Sequence, residues 1–529
     1  LGNITFADTI NATTAGAQGL TLTAGGGNVV FDTDATVTPA VTAHVGNSAA
    51  LSSIDVTGAN NITLRDVTTT GTQTYTATGV IDTNSTYTSN GANIRFEGAT
   101  VANSALVIDT TNAGNASTAG TVTFTSTLNS ATSAANTLEI TAGAGNIDFD
   151  AAVGSAVNGE LGAITIHSAA TLLADSTIEA ESFTQNAGSV LTQFDGTVTL
   201  SDAFAFTGEA LTFNAGSNTV GASMTVTNAG VFTTDDDADI STTGLFTQVG
   251  TGNTVLGADL TSGASIDFNT SITLTSSDLV SISTGEADTD DFTIAGNITS
   301  TANESLTIDA GALGDIDLNG TVDLGTGDFT IVDAAIVDFA STLVAGDFTQ
   351  EDGTTSTTFN DTVDLSGNFD FEGQALTLNA LLDSDGTVVV TNAGSFTTVA
   401  AGDIIADLGF TQNGTGTSSL AGDITTTNNN IGFATGVTLT GPVAMTTGSD
   451  AGSITFTQTV DATTAGTETL ELTAGTGDIT FTGLAGHTAR LGAVTINSVK
   501  DLTVTAGMKA ASFTQGLNAN DTLRGTGVF

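Results

Sequence analysis

The sequence predicts an all-β protein, a right-handed parallel β-helix, which is also called a β-solenoid. Two observations lead to this prediction. A long stretch recurs: Phe183 to Thr234 begins FTQNAGSVLTQF, and its second copy, Phe348 to Thr398, begins FTQEDGTTSTTF. Within such a stretch, leading apolar residues return at a spacing of roughly 20 residues, the length of one solenoid coil.

The individual strands are indicated by alternation of apolar and polar residues. The segment GTVTFTSTL, from Gly120 to Leu128, places Val122, Phe124 and Leu128 on one face and its four threonines on the other. Thr, Val and Ile favour extended backbone because their branched side chains fit a pleated strand. No segment combines a 3.6-residue period with helix caps, so we expect essentially no helix.

The coil length comes from apolar positions in the middle of the chain. Their nearly even spacing is clearest along one series: Ile164, Phe183, Phe204, Met224, Phe246 and Ile266. At this coil length the chain would contain roughly 26 coils. Each coil would bury its apolar face only by stacking on its neighbours.

The corners between strands are marked by Gly, Asn and Asp. The triplet Asn-Ala-Gly recurs at residues 112–114, 186–188, 214–216, 228–230 and 392–394. Because Asn and Gly tolerate positive φ, we expect these triplets to form tight corners. An anion-binding nest is the functional alternative, and the acidic surroundings argue against it.

A longer period of about 165 residues is superimposed on the coils. It is marked by LEITAGAGNIDF at Leu138, LTIDAGALGDIDL at Leu306 and LELTAGTGDITF at Leu470. We interpret residues 1–529 as one continuous solenoid of four copies: a divergent 1–137, then 138–303, 304–468 and a partial 469–529. The alternative, a string of immunoglobulin-like sandwiches, would carry more Trp, Tyr and Pro than this chain has.

The charge balance limits the partners. The chain has 56 Asp and Glu against 6 Lys and Arg, a formal charge of −50, and no cation between residues 96 and 489. Phosphate recognition depends on Lys and Arg, so nucleic acid and anionic membrane surfaces are disfavoured. No apolar run approaches the length of a membrane helix, so we predict no membrane insertion. The absence of Cys and Trp and the richness in Thr favour an extracellular or cell-surface protein without disulfides.

The unit LTLTAGGGNVVF at Leu20 and the alternation rich in Thr, Ala, Gly and Asn show a family resemblance. The chain resembles large bacterial surface exoproteins of the filamentous-haemagglutinin type and other β-strand-repeat adhesins, in composition and period over nearly its whole length. The Asn-Pro-Asn motifs of two-partner secretion domains are missing. The resemblance implies secretion and a surface, adhesive or filament-forming role, and it assigns no functional residue. A host or matrix glycan is a candidate partner.

Two acidic clusters are candidate calcium sites, because carboxylates and carbonyls at corners suit Ca²⁺. The candidate ligands are Asp235, Asp236, Asp237 and Asp239 in the first cluster, and Asp288, Asp290 and Asp291 in the second. The repeat copy of the first cluster reads VAAGD and keeps only one acid, Asp403, so the site is not repeated. The nonapeptide of calcium-binding solenoids is also absent. Calcium is the one cofactor considered.

No catalytic constellation is evident. The three histidines, His44, His167 and His487, lack metal-ligand or catalytic spacing, and His167 has Asn497 at its counterpart position, so we expect replaceable surface or corner residues. Lyases of acidic polysaccharides need Arg or Lys, which the central stretch lacks. Hydrolysis by two carboxylates stays open, although no Trp or Tyr platform for sugars is present.

We therefore predict no enzyme activity. The predicted function is a non-enzymatic extracellular structural rod, a filament subunit or adhesin stalk at a bacterial cell surface. We expect its ends to associate with further copies or to continue in a longer chain, because open coil ends template strand pairing. The alternative is a polysaccharide-binding or polysaccharide-degrading β-helix. Ice binding by outward threonine rows is a third class.

Overall fold

The computed structural model describes residues 2–31, 33–34, 41–111, 120–276, 279–516 and 522–523. All regular secondary structure in these residues is β-strand, and parallel strands stack as a β-solenoid of about 23 turns with coils of about 21 residues. The predicted fold class is therefore confirmed. Backbone contacts divide the chain into two compact units, Leu1–Ser262 (unit 1) and Gly263–Phe529 (unit 2). The Asn-Ala-Gly triplet at 112–114 lies outside the described residues.

The turns are fewer than the sequence led us to expect, because several early coils are long. Leu20 pairs with Ile54, and Ile94 pairs with Val122, so each of these coils exceeds the usual length. The regular spacing begins further along unit 1, where Phe183 pairs with Phe204.

The strands of unit 1 are mostly three to five residues long, with a few long strands near its start. They are Ile4–Phe6, Leu20–Thr23, Val29–Phe31, Thr33–Asp34, Val41–Thr42, Ile54–Ala59, Ile62–Thr63, Val67–Thr68, Gln73–Thr88, Ile94–Asp109, Val122–Phe124, Leu128–Ser130, Leu138–Thr141, Ile147–Phe149, Leu161–Ala174, Ile178–Gln185, Gly188–Phe194, Val198–Leu200, Phe204–Gly208, Ala210–Phe213, Asn218–Val220, Met224–Asn228, Phe232–Thr234, Ile240–Thr242, Phe246–Gln248, Thr254–Leu256 and Leu260–Ser262.

The strands of unit 2 are of the same kind, and few exceed four residues. They are Ile266–Phe268, Ile272–Leu274, Val280–Ser283, Phe292–Ile294, Ile298–Ser300, Leu306–Asp309, Ile316–Leu318, Val322–Asp323, Phe329–Ile331, Ile336–Phe339, Leu343–Ala345, Phe348–Gln350, Ser356–Phe359, Val363–Leu365, Phe369–Gly373, Leu376–Leu378, Leu382–Ser384, Thr387–Asn392, Phe396–Thr398, Ile404–Ala406, Gly409–Gln412, Ser418–Leu420, Ile424–Thr426, Ile431–Phe433, Val437–Leu439, Val443–Thr446, Ile454–Phe456, Val460–Ala462, Leu470–Thr473, Ile479–Phe481, Leu491–Ser498, Asp501–Val504, Ala510–Gln515 and Thr522–Leu523.

In both units most strands pair in parallel with the strand three positions later, so each coil contributes one strand to each of three sheets. The register keeps equivalent residues in line. Phe183 pairs with Phe204, Phe204 with Met224, and Met224 with Phe246. The apolar positions that set the predicted coil length therefore do lie above one another in unit 1.

The core consists of inward side chains stacked from coil to coil. The rings of Phe183 and Phe204 stack with centroids 5.2 Å apart, and those of Phe348 and Phe369 with centroids 4.9 Å apart. All four are at most 1% exposed. Removing rings of this size from water is the main favourable contribution to stability, and the offset stacking adds to it.

The alternation predicted for residues 120–128 is confirmed for its apolar face and differs at one threonine. Val122, Phe124 and Leu128 are buried. Thr123, expected to face outward, is only 7% exposed. It lies in register between Arg95 and Asp148 of the adjacent coils, whose longer side chains cover it.

The glycines of the Asn-Ala-Gly corners are required for a different reason from the one predicted. Among the described triplets only Gly216 has a positive φ, +71°. At Gly394, a Cβ would lie 2.8 Å from the carbonyl oxygen of Gln374 on the preceding coil. At Gly230 it would lie 3.1 Å from the carbonyl oxygen of Glu209. The absence of a side chain therefore allows neighbouring coils to approach closely at these corners.

Candidate functional site

The first acidic cluster is a surface corner of unit 1. The side chains of Asp235, Asp236 and Asp237 are exposed, and the Asp235 carboxylate accepts a hydrogen bond from the backbone N–H of Asp236 at 3.1 Å. Asp239 is half-buried, and its carboxylate accepts the backbone N–H of Asp259 on the next coil at 3.2 Å. Asp239 therefore already has a structural role in linking two coils.

The second cluster is a corner of unit 2 with the same kind of local bonding. The carboxylate of Asp290 accepts the backbone N–H of Ala287 at 2.9 Å, within its own loop. The carboxylate of Asp291 accepts the backbone N–H of Asp315 on the next coil at 2.9 Å. Asp288 is exposed. Within the described ranges, no group of three or more His, Asp or Glu side chains is arranged to hold a metal ion. Calcium binding at these seven aspartates stays a prediction.

Carboxylates also stack directly on one another in unit 2. Asp317 is in register with Asp338 on the adjacent strand, and Asp364 with Asp383. Partial burial raises the pKa of Asp317, and the Asp338 carboxylate raises it further. Partial burial and then the neighbouring Asp364 likewise raise the pKa of Asp383. Like charges in register are destabilising, so these pairs oppose the fold when both are ionised.

A buried polar network at the Asn-Ala-Gly corners was not anticipated from the sequence. The amide of Asn228, 1% exposed, donates to the carbonyl of Gly230 at 2.7 Å and accepts from the Gln248 amide at 2.7 Å. Gln248 is the Gln of an FTQ motif one coil later. The amides of Asn392 and Gln412 make the same contact at 2.7 Å in unit 2. The signal available in the sequence was the separation of Asn and Gln by one coil, which is identical in both repeat copies.

An open groove of about 580 Å³ crosses successive coils of unit 1 at these corners. Its walls are mainly small residues, with Ala187, Val249 and one carboxylate, Glu209, among them. The equivalent corner of unit 2 forms a groove of about 260 Å³. There, the positions of Ala187 and Glu209 are taken by Asp352 and Gln374. The repeat thus builds the same groove twice with different polar groups.

The histidines make ordinary surface contacts. The imidazole Nε2 of His167 lies 3.2 Å from a carboxylate oxygen of Glu139. At the counterpart position in unit 2, the Asn497 amide donates to Glu471 at 2.7 Å. The outward position predicted for His167 is therefore confirmed. The imidazole of His44 lies 2.7 Å from the Asp66 carboxylate.

Among the described residues there is no helix with the length and hydropathy that crossing a bilayer requires. No protein-family model, no curated protein and no solved structure matches the chain. The resemblance to haemagglutinin-type exoproteins therefore stays a prediction, and the function is argued from the fold and its surfaces.

Proposed function

We propose that the protein is a non-enzymatic structural component of a bacterial cell surface, a filament subunit or the stalk of an adhesin. The observation that supports this most is the hydrogen bonding of polar side chains between successive coils. Among the described residues of unit 2, a series of them bonds the backbone of the next coil.

A continuous series of such bonds runs through unit 2. The Ser305 hydroxyl accepts the N–H of Asp328 at 3.0 Å, and the Asp328 carboxylate accepts the N–H of Asp347 at 2.9 Å. The Asp347 carboxylate then accepts the N–H of Asn368 at 2.6 Å, and the Asn368 amide oxygen accepts the N–H of Thr387 at 3.0 Å. Each bond ties one coil to the next outside the strand ladders. Such cross-links suit a protein that bears load.

The test is cryo-electron microscopy of the native material with and without a calcium chelator. Filaments or surface stalks built from this chain support the proposal. Dispersed single molecules with no surface attachment would contradict it. If chelation abolishes order at the acidic corners, calcium is a structural cofactor; unchanged order means that the carboxylates act through hydrogen bonds and surface charge alone.

Polysaccharide binding is the second candidate, and the groove of unit 1 supports it. The groove is of the size that small ligands occupy and presents the hydroxyls of Thr207 and Thr227 beside Glu209. Isothermal titration with neutral, acidic and amino-sugar oligosaccharides tests it, and Glu209→Gln provides the matched variant because unit 2 carries Gln374 there. Release of shortened oligosaccharides would replace the structural proposal with an enzymatic one.

A further inference from the structure

Two equivalent corners, one in each unit, carry side chains of opposite charge. Residues 160–185 and 490–515 are equivalent segments, separated by two of the long sequence periods. In unit 1 the corner carries Glu160 and Glu179, and in unit 2 the equivalent positions carry Arg490 and Lys509. We call the first the acidic corner, which also includes Glu181, and the second the basic corner.

The backbone at the two corners is the same. Leu161 pairs with Ala180 beside the acidic corner, and Leu491 pairs with Ala510 beside the basic corner. The carbonyl of Glu160 accepts the N–H of Ala134 at 2.8 Å, and the carbonyl of Arg490 accepts the N–H of Gly466 at 2.6 Å. The side chains at equivalent positions therefore leave the two surfaces at equivalent places, and only their charge is reversed.

The acidic corner is open to a partner. Glu160 and Glu179 are half-buried and Glu181 is exposed, and all three border a groove of about 290 Å³. The groove also contains the hydroxyls of Ser133 and Ser201. Three carboxylates around one concave surface attract cationic side chains, and the concavity concentrates their field.

The basic corner is an exception in this acidic chain. Arg490 and Lys509 are exposed, and neither has a carboxylate within 4.0 Å among the described residues. The Lys509 ammonium lies 3.3 Å from Nδ1 of His487. By contrast, the Lys500 ammonium lies 3.6 Å from the Asp478 carboxylate of its own unit.

We propose that the basic corner of one molecule binds the acidic corner of a second copy of this chain. This inference rests on the structural function proposed above and adds its assembly contact. The two corners belong to different units, so the contact is heterologous. A bound pair keeps one free acidic corner and one free basic corner for further partners. Between residues 96 and 489 there is no Lys or Arg, so two molecules that approach each other through this part of both chains bring like charges together.

The experiment is sedimentation velocity of the full chain at low, physiological and high ionic strength. At low salt the formal charge of −50 on each molecule keeps the molecules apart. The wild type is expected to associate near physiological ionic strength, where repulsion between distant carboxylates is screened, and to dissociate at high salt, which also screens the corners. The charge-reversed variants R490E/K509E and E160R/E179K are each expected to associate roughly tenfold or more weakly. Mixed in equal amounts, they are expected to associate again, because one molecule then offers two acidic corners and the other two basic corners.

The single variant Lys509→Glu is also expected to weaken association, and Lys500→Glu is its matched control. Lys500→Glu changes the net charge equally within the same unit and is expected to leave association unchanged. Unchanged circular-dichroism melting verifies that the variants fold. Association that survives both charge-reversed variants, or a mixture that does not associate, overturns the corner contact and leaves the structural function standing. A wild type that stays monomeric at every salt concentration overturns the contact as well. Detached single molecules on native cells would instead contradict the structural function.

Discussion

At the scale of single residues, the buried amide of Asn228 stabilises a corner. It donates to the Gly230 carbonyl in its own coil and accepts from the Gln248 amide of the next coil. Replacing Asn228 with Ala removes the shortest of the Gln248 amide's hydrogen bonds and the donor to the Gly230 carbonyl, while the Gln248 amide keeps the Gly252 carbonyl at 3.0 Å. We expect a loss of about 2 kcal/mol, the usual cost of buried polar groups deprived of partners. Hydrogen exchange of the peptides covering residues 224–256 measures it as a loss of protection.

Two variants act as controls for this substitution. Asn392→Ala removes the equivalent amide in unit 2 and should reproduce the loss of protection there. Asn214→Ala removes a solvent-accessible amide that donates to Asp195 at 2.6 Å and should cost less than about 0.5 kcal/mol. Equal effects of Asn228→Ala and Asn214→Ala would show that burial of the amide is unimportant.

Glu304 is a buried carboxylate whose ionised form the fold stabilises. Burial raises its pKa, but hydrogen bonds from Ser300, from the N–H of Ala302 and from Thr301 outweigh burial and lower the pKa to about 2. The pKa in the folded state lies below the ordinary 4.5, so the ionised carboxylate stabilises the fold above about pH 4.5. This stabilisation is on the order of 3 kcal/mol. It is lost as the pH falls toward 2.

Glu304→Gln tests this dependence. The wild-type peptide covering residues 298–309 should lose exchange protection between about pH 5 and about pH 2.5, whereas the variant should be less protected at pH 5 and change little over the same range. The exposed Glu372→Gln is the control and should behave as the wild type. The same pH dependence in wild type and Glu304→Gln would assign the effect to other carboxylates.

At the scale of the coil, glycine sets how closely successive corners approach. A Cβ on Gly416 would lie 1.5 Å from the carbonyl oxygen of Gly394, whereas a Cβ on Gly432 meets nothing within 4 Å. Gly416→Ala must push two coils apart and should cost more than about 2 kcal/mol, while Gly432→Ala should be nearly neutral. Thermal unfolding compares the two variants, and similar melting temperatures would show that the corner adapts easily.

The sequence predicted the coil because its signal is periodic and local. The line of Phe183, Phe204 and Met224 was recognisable because every coil needs an inward apolar residue at the same phase. The burial of Asn228 was not predicted, since Asn is a common turn residue and the triplet Asn-Ala-Gly indicated only a tight corner. The opposite charges of Glu160 and Arg490 were visible in the sequence. Their significance for binding depends on the strand register, which shows that the two residues occupy equivalent corners of the two units.

At the scale of the whole molecule, the formal charge of −50 opposes the fold through repulsion between carboxylates. Acidic residues such as Asp364 and Asp383 lie in register on strands of neighbouring coils, which are roughly 4.8 Å apart. Raising ionic strength from about 10 mM to about 150 mM shortens the screening length from about 30 Å to about 8 Å. Repulsion between distant coils is then screened, while adjacent pairs still repel one another.

We therefore expect the melting temperature to rise with monovalent salt, and to rise further with a divalent chloride at equal ionic strength.

The variant Asp383→Asn tests the contribution of one pair of carboxylates in register, Asp364 and Asp383. Because the pKa of Asp383 is raised, its neutral form favours the fold below its ordinary 3.8 and this advantage is lost as the pH rises, so the variant should be more stable than wild type at pH 7 and equal to it in acid. Asp370→Asn, which is in register with Thr349 and Val389 and has no stacked acid, is the control. If melting does not respond to salt, or if Asp370→Asn stabilises as much as Asp383→Asn, in-register repulsion is not what limits the stability of this chain.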